Sequence, residues 1–505
     1  MMENRSFDHY FGWYPGADGL LDNSGDIASR SVLDLNGDAV PLSYWGAGEG
    51  GLNRFTADGR PGGVDPSHGW TGGRTTFNGG RMDGFLQEED NANDPYVMSY
   101  YLADDIPVLA SMAREFTVHD RYFPSLLAST FPNREYLHSA TSGGVTNNDF
   151  PGMDSAADAS DDDATIETPS NVVQGFPWLT IWDRLEAAGV DWGYYFNDLP
   201  VIALWGDRFL LGSLANKVKP IEQFYADAAA GTLPNVYFLD PDFVNDQNGN
   251  DDHPFADIRA GQAFIGDTYH AVRTGPQWPS SAFFVTYDEW GGFYDHVAPP
   301  RVRDDRGNRS DIDTDFGQLG FRVPTVTCSP WSPKGQISSR TYDHTSILKF
   351  IEYRFGLAPL TMRDASAANI GEVLDVSDPD RPPNPGGGEA VPKPDPPCLA
   401  LPGEPPDSDD PSGPGNGLSR AYDPPYLYEP VCDRAPAGPG GGGAGATGAT
   451  GATPAGGVGV RNPAATVDAA PAARDVTTHR LYRLAEARDL GRFDRRGHDP
   501  RDSFS

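Results

Sequence analysis

Four apolar runs constrain this chain more than any other feature: DWGYYF (191–196), NVYFLD (235–240), SAFFVTY (281–287) and VPTVTCS (323–329). Continuous β-branched and aromatic stretches of this length suit strands buried on both faces, as in a parallel sheet. Helical patterns lie between some of them. IPVLASMAREF places Pro107 in a first turn, PWLTIWDRLEAAG ends in Gly189, and HTSILKFIEYRFGL sets apolar residues at three- and four-residue spacing. The alternation predicts an α/β fold, a layered sheet with helices on both faces. Ligands of such sheets gather beyond the carboxyl ends of the strands. Those ends carry Asn197 and Asp198, Asp240 and Asp242, and Asp288 and Glu289.

The 505 residues leave room for a large catalytic domain with appendages. Residues 1–375 have the mixed texture of a folded enzyme. Residues 376–473 are rich in Pro, Gly and Ala (GPGGGGAGATGATGAT) and read as a disordered linker, because such sequence buries too little apolar area to offset ordering entropy. Residues 474–505 form a charged tail in which TTHRLYRLAEARDL has the spacing of a short amphipathic helix. The net charge of -34 argues against nucleic acid as a partner, since phosphate backbones need clustered Lys and Arg. Of three cysteines, Cys328 lies in an apolar run as an ordinary buried thiol, and Cys398 and Cys432 are the two placed to pair. No apolar run reaches the roughly 18 residues that a transmembrane helix needs.

The strongest local signal is FFVTYDEWGGFYDHV, in which a strand runs into Asp288 and Glu289, then Gly291 and Gly292, then Asp295 and His296. Two carboxylates at a strand end offer oxygen ligands to a hard divalent cation, and the paired glycines allow close backbone approach to a ligand. MMENRSFDHYFG adds a carboxylate and a carboxamide at Glu3 and Asn4. In ASTFPNREYLHSAT, Ser129 and Thr130 supply hydroxyls that attack phosphorus if a cation lowers their pKa. DQNGND (246–251) resembles a calcium loop only at its start. Asp251 stands where the turn needs Gly, and Asp257 where a bidentate Glu belongs.

Taken in order, MMENRSFDHYFG, STFPNR, HPFADIRAGQAF, YDEWGGFYDHVAPP, and RVPTVTCSPW followed by YDHTSILKFIEYRFGL resemble the bacterial phosphoesterase family of phospholipases C and acid phosphatases. SHGWTGGRTTFNGGRMDGF, around His68, is similar to a further segment of that family, so the likeness runs from residue 1 to about 360. The resemblance implies an alkaline-phosphatase-like core and one divalent metal ion held by Glu3, Asn4, Asp288 and Glu289. It implies Thr130 as nucleophile and metal ligand, with Ser129 as the fallback, and a phosphothreonine intermediate. His68, His253, His296 and His344 match pocket histidines that contact phosphate or protonate the leaving group. Asn133, Arg134 and Asp295 are expected to bind substrate. The other histidines, His9, His119, His138, His270, His479 and His498, read as structural or exposed.

The expected substrate is a phosphoester, with phospholipid-like diesters ahead of monoesters because Thr130 resembles the phospholipase branch. Phe7, Tyr10, Phe11, Trp290 and Tyr294 are candidates to shelter a choline-like cation. The alternatives are an acid phosphatase and, in another class, a catalytically silent protein that binds phosphate or lipid headgroups. Relatives carry an apolar strand before the first of these motifs, where only Met1 and Met2 stand here. The expectation is therefore a start further upstream, with secretion or envelope residence if a signal peptide preceded it and a cytoplasmic location otherwise.

Overall fold

The computed structural model describes residues 1–45, 65–88, 95–149, 151, 175–243, 249–254, 256–306, 315–378 and 380–394. Two sheets, the largest of five among the described residues, run through this part. Trp192–Phe196 (β2), Val218–Pro220 (β3) and Val236–Asp240 (β4) form a parallel sheet ordered β3-β2-β4. Phe283–Thr286 (β5) and Thr325–Cys328 (β6) join Thr117–His119 (β1) and Gln336–Ser338 (β7) in the order β5-β6-β1-β7. The four apolar runs thus all become strands. They do not share one parallel sheet, however: β6 pairs antiparallel with both β5 and β1. The connection between β5 and β6 carries no α-helix among its described residues, and an antiparallel pair needs no helical crossover.

Helices cover the strands where local sequence starts and stops them. Pro107–Glu115 (α3) begins on proline; Ile181–Ala187 (α5) begins on a capping box between Thr180 and Asp183; His344–Phe355 (α8) is capped by Asp343 and ends on left-handed Gly356. The helix Ile221–Ala230 (α6) packs on β2, and Ile258–Thr274 (α7) packs on α3 and α6. Thr130–Ser139 (α4) packs on α8. Every residue of β2 and of β6 is buried, which requires cover on both sides. Cys328 is a buried free thiol, as its apolar setting predicts.

The first two residues lie between the sheets. The Met2 amide donates to the Thr286 carbonyl at 2.8 Å and its carbonyl accepts from Asp288 N at 3.0 Å, so Met2 extends β5 in parallel. On the other side the Met1 amine lies 3.4 Å from the Leu239 carbonyl of β4. Beyond Met1 the facing edges of β4 and β5 line a cavity of about 840 Å³, with Val236, Phe238, Phe283 and Val285 among its walls.

Part of the stretch read as linker belongs to the folded body. Asn384 Nδ2 donates to the Glu115 carbonyl at 2.7 Å, His270 Nε2 to the Val391 carbonyl at 2.9 Å, and Val391 is buried. These contacts dock 380–394 on α3 and α7, so the expected boundary at 375 falls inside packed structure. The remainder of the linker, the tail helix, Cys398, Cys432, His479 and His498 lie outside the described residues, as do positions 246–248 of the calcium-like loop. Burial of a side chain such as Val391 contributes about 1.5–3 kcal/mol. A chain cut after residue 375 is therefore expected to melt about 2–4 °C lower than one cut after 394, which should match the full chain by calorimetry.

Candidate active site

The site gathers where the chain start, the end of β5 and the first turn of α4 meet. Asn4 has a left-handed backbone (φ 58), and its amide donates to Asp288 Oδ1 at 3.0 Å. Gly291 makes this possible. A β-carbon there would stand 2.2 Å from the Asn4 carbonyl, and one on Gly292 would stand 2.5 Å from Pro66 Cβ. The two glycines therefore admit other parts of this chain, whereas the sequence alone had them admitting a ligand. They seat Asn4 and the loop that carries His68.

Thr130 opens α4, with Ser129 at the cap. Its hydroxyl donates to Glu3 Oε2 at 3.1 Å, and Asn4 Oδ1 lies 3.4 Å away. Asn133 makes that presentation rigid: its Oδ1 accepts from Leu126 N at 2.8 Å and its Nδ2 donates to the carbonyls of Ala128 and Ser129 at 2.8 and 3.1 Å. The structure thus gives Asn133 to the loop before Thr130, whereas the sequence reading assigned it to substrate. Arg134 also turns inward. Its buried guanidinium meets Glu3, Asp240 at 3.3 Å and Asp288 at 3.4 Å. Substrate binding, its expected role, would have to share the guanidinium with these carboxylates.

His68 donates from Nδ1 to the Pro66 carbonyl at 2.7 Å, which turns Nε2 toward Asn4 Nδ2 at 3.4 Å and Glu289 Oε1 at 3.7 Å. His253 Nε2 stands 3.5 Å from Asp65 Oδ2, and the two imidazole centres are 6.4 Å apart. His344 takes a different place. Its Nε2 donates to the Asp288 carbonyl at 2.7 Å, and Nδ1 accepts from the Tyr122 hydroxyl at 3.1 Å, so both nitrogens are spent on supporting Asp288. Burial pushes its pKa down to about 4.

His296 and Asp295 form a second cluster. His296 Nδ1 lies 2.6 Å from Asp8 Oδ2 and Nε2 lies 3.3 Å from Asp18, while Arg322 reaches Asp295 and Asp8 at 3.0 Å each. Burial works against the His296 imidazolium, but Asp8 and Asp295 outweigh it and raise its pKa. The side chains of this cluster bond to one another, to Asp18 and to the Asp120 carbonyl, and not to Thr130 or its neighbours Glu3 and Asn4. Phe7, Tyr10, Phe11 and Trp290 are wholly buried and Tyr294 nearly so. They are core, and offer no face to a choline-like cation.

The Thr130 centre nevertheless fits a cation. Glu3, Asp240, Asp251, Asp288 and Glu289 are all buried here. Glu289 Oε1 and Asp288 Oδ2 accept no hydrogen bond. Such orphaned oxygens suit a hard divalent ion. Beside them, Asp65, His68 and His253 each bring a ligand atom within 4.8 Å of the others, as do Asp8, Asp295 and His296. Of the expected ligands, Glu3 and Asp288 pair with the guanidinium of Arg134, while Glu289 faces His68. Asp65 was missed in sequence because a lone Asp before Pro66 has no distinguishing pattern.

Burial, with the Asp288 charge, pushes the Glu3 pKa from 4.5 up to about 8 despite Arg134. The folded chain thus holds the Glu3 proton more tightly than the unfolded chain. Its stabilisation is present below pH 4.5 and is lost as pH rises toward 8. We expect chelated protein to lose melting temperature across this window, and a divalent cation to restore it with proton release, as calorimetry in buffers of different ionisation enthalpy would register.

A threonine hydroxyl at a helix start thus stands beside buried carboxylates, with two histidines on neighbouring loops, in a chain whose family and relatives make it a hydrolase acting on phosphoester bonds. It belongs to the Phosphoesterase family, whose model matches residues 1–358. Non-specific phospholipase C1 of Arabidopsis thaliana is 32% identical over 415 residues, covering 75% of this chain and 70% of the relative. Phospholipase C B of Mycobacterium tuberculosis is 31% identical over 429 residues, covering 76% and 78%. Among solved structures, an alkaline phosphatase superfamily protein from Vibrio parahaemolyticus aligns at TM-score 0.30 and 10% identity over 52% of this chain and 63% of that one.

Proposed function

We propose that the chain cleaves phosphodiesters, phospholipids first among them, by two successive displacements in which Thr130 Oγ1 is the nucleophile. The observation that carries this reading is the Thr130 hydroxyl itself, held 3.1 Å from Glu3 at the start of a ten-residue helix. Glu3, Asn4, Asp288 and Glu289 would hold one divalent cation against Thr130. When bound, it would lower the hydroxyl pKa and neutralise phosphate charge.

Thr130 Oγ1 passes its proton to Glu3, its hydrogen-bond acceptor, as it bonds to phosphorus, and the alcohol leaves with a proton supplied from His253 or His68. Water then attacks the phosphothreonine and frees the hydroxyl. Asn133 and Arg134 hold Thr130 and Glu3 in register throughout. A diester substrate is supported by the names of the two relatives above, both phospholipases C, and by charge. A diester brings one less negative charge than a dianionic monoester into a centre crowded with carboxylates.

Thr130→Val is expected to lower kcat by about three orders of magnitude or more with the fold retained, while Ser129→Ala, which removes a hydroxyl without a hydrogen-bond partner, should cost far less. Acid quench during turnover of a slow phosphodiester, followed by peptide mass analysis, should place the phosphoryl group on Thr130. A label on Ser129, or full turnover in Thr130→Val, would overturn the assignment.

A further inference from the structure

The turn that carries His253 is held in a backbone conformation that side chains resist. Asp252 has φ 75, in the left-handed region where a β-carbon crowds the following carbonyl. Three groups hold it there. Arg5 Nε donates to the Asp252 carbonyl at 2.7 Å and Arg5 NH2 lies 3.4 Å from the His253 carbonyl. The hydroxyls of Tyr287 and Tyr10 donate to Asp252 Oδ2 at 2.5 and 3.2 Å. The carboxylate sits so close to α7 that a β-carbon on Gly261 would stand 1.8 Å from Asp252 Oδ1.

Arg5 is fixed in turn. Its NH1 reaches the Tyr96 hydroxyl at 3.0 Å and His9 Nε2 at 3.1 Å, and its guanidinium lies 4.9 Å from the centre of the Phe293 ring. Asp252, Arg5, Tyr10 and Tyr287 are all buried. No substrate reaches such groups, so whatever they contribute passes through what they hold. They hold His253, whose ring stands opposite Asp65 and His68.

We propose that Arg5 and Asp252 are positioning residues for His253, a clamp that fixes the kinked 251–253 turn and so aims the imidazole at the reacting phosphoryl group. This rests on the reading that His253 serves the reaction, and it assigns work to two residues that touch no substrate. The preceding residue gives the clamp a second anchor, since the Glu3 amide donates to the Asp251 carbonyl at 2.7 Å. A β-sheet residue, Tyr287, thereby reaches the chemistry through a carboxylate on a loop.

A double-mutant cycle tests it on the full chain. Asp252→Gly keeps the left-handed backbone accessible and removes the carboxylate. It should lower kcat about tenfold and move KM much less, while Asp252→Asn, which keeps an acceptor and tolerates φ above zero, should restore most of the rate. In a His253→Ala background the same Asp252→Gly change should cost less than about twofold. Tyr287→Phe, which removes one hydroxyl, gives the same comparison if Asp252→Gly fails to fold. An equal loss in both backgrounds, or loss of bound divalent cation in Asp252→Gly measured by elemental analysis, would overturn the proposal, because the network would then serve the fold or Glu3. Wild-type turnover in His253→Ala would instead overturn the role of His253 on which the clamp depends.

Discussion

One buried guanidinium ties the molecule together at the point where its chemistry lies. Arg134, projecting from the first turns of α4, meets Glu3 at the chain start, Asp240 at the end of β4 and Asp288 at the end of β5. Each carboxylate would be costly alone in this environment, and so would the arginine. Together they hold three distant stretches at one place. The same helix presents Thr130, so the guanidinium that neutralises the carboxylates and the hydroxyl that donates to one of them belong to one rigid element.

The backbone devices around this centre serve that registration. Asn4 and Asp252 both take left-handed conformations without being glycine, and Gly291 and Gly292 leave room for Asn4 and Pro66. Such strain persists only where neighbours over-determine it. Here the neighbours are polar and buried: Asp288 for Asn4, Arg5 and two tyrosines for Asp252. The result is a site assembled from loops yet braced nearly everywhere by side chains that never leave the interior.

Much of this was legible in the sequence, for identifiable reasons. The four apolar runs became strands because their burial on both faces demands unbroken hydrophobic sequence, and of the carboxylates at their ends Asp240 and Asp288 meet at Arg134, while Asp198 accepts from the Phe243 amide. Strand direction was not legible, since an apolar run looks the same whether its neighbour is parallel or antiparallel. Thr130 lies beside Glu3 and Asn4, and Asn4 beside Asp288. His296 and Asp295 do not join them, although they are only a few residues from Glu289. The left-handed glycines at 291 and 292 turn the chain away, and Arg322, some 26 residues on, claims both for a second cluster. Asn133 and His344, read as site residues, hydrogen-bond to backbone carbonyls beside the site, an arrangement that depends on which atoms face which carbonyls. Asp65 and Asp252 carried no pattern, and Arg5, though inside the first motif, had no role assigned to it. The docking of 380–394 was hidden by composition, because a few buried contacts such as Val391 suffice to seat a Pro- and Gly-rich stretch.

The account stands or falls on whether a threonine of the protein, and not water, first displaces the alcohol. Each in-line displacement at phosphorus inverts its configuration, so two in succession restore it. Hydrolysis of a phosphodiester made chiral at phosphorus, in isotopically labelled water, reads this directly in the configuration of the released phosphomonoester. Overall retention is the predicted result. Inversion would mean a single direct attack by water and would contradict the role given to Thr130.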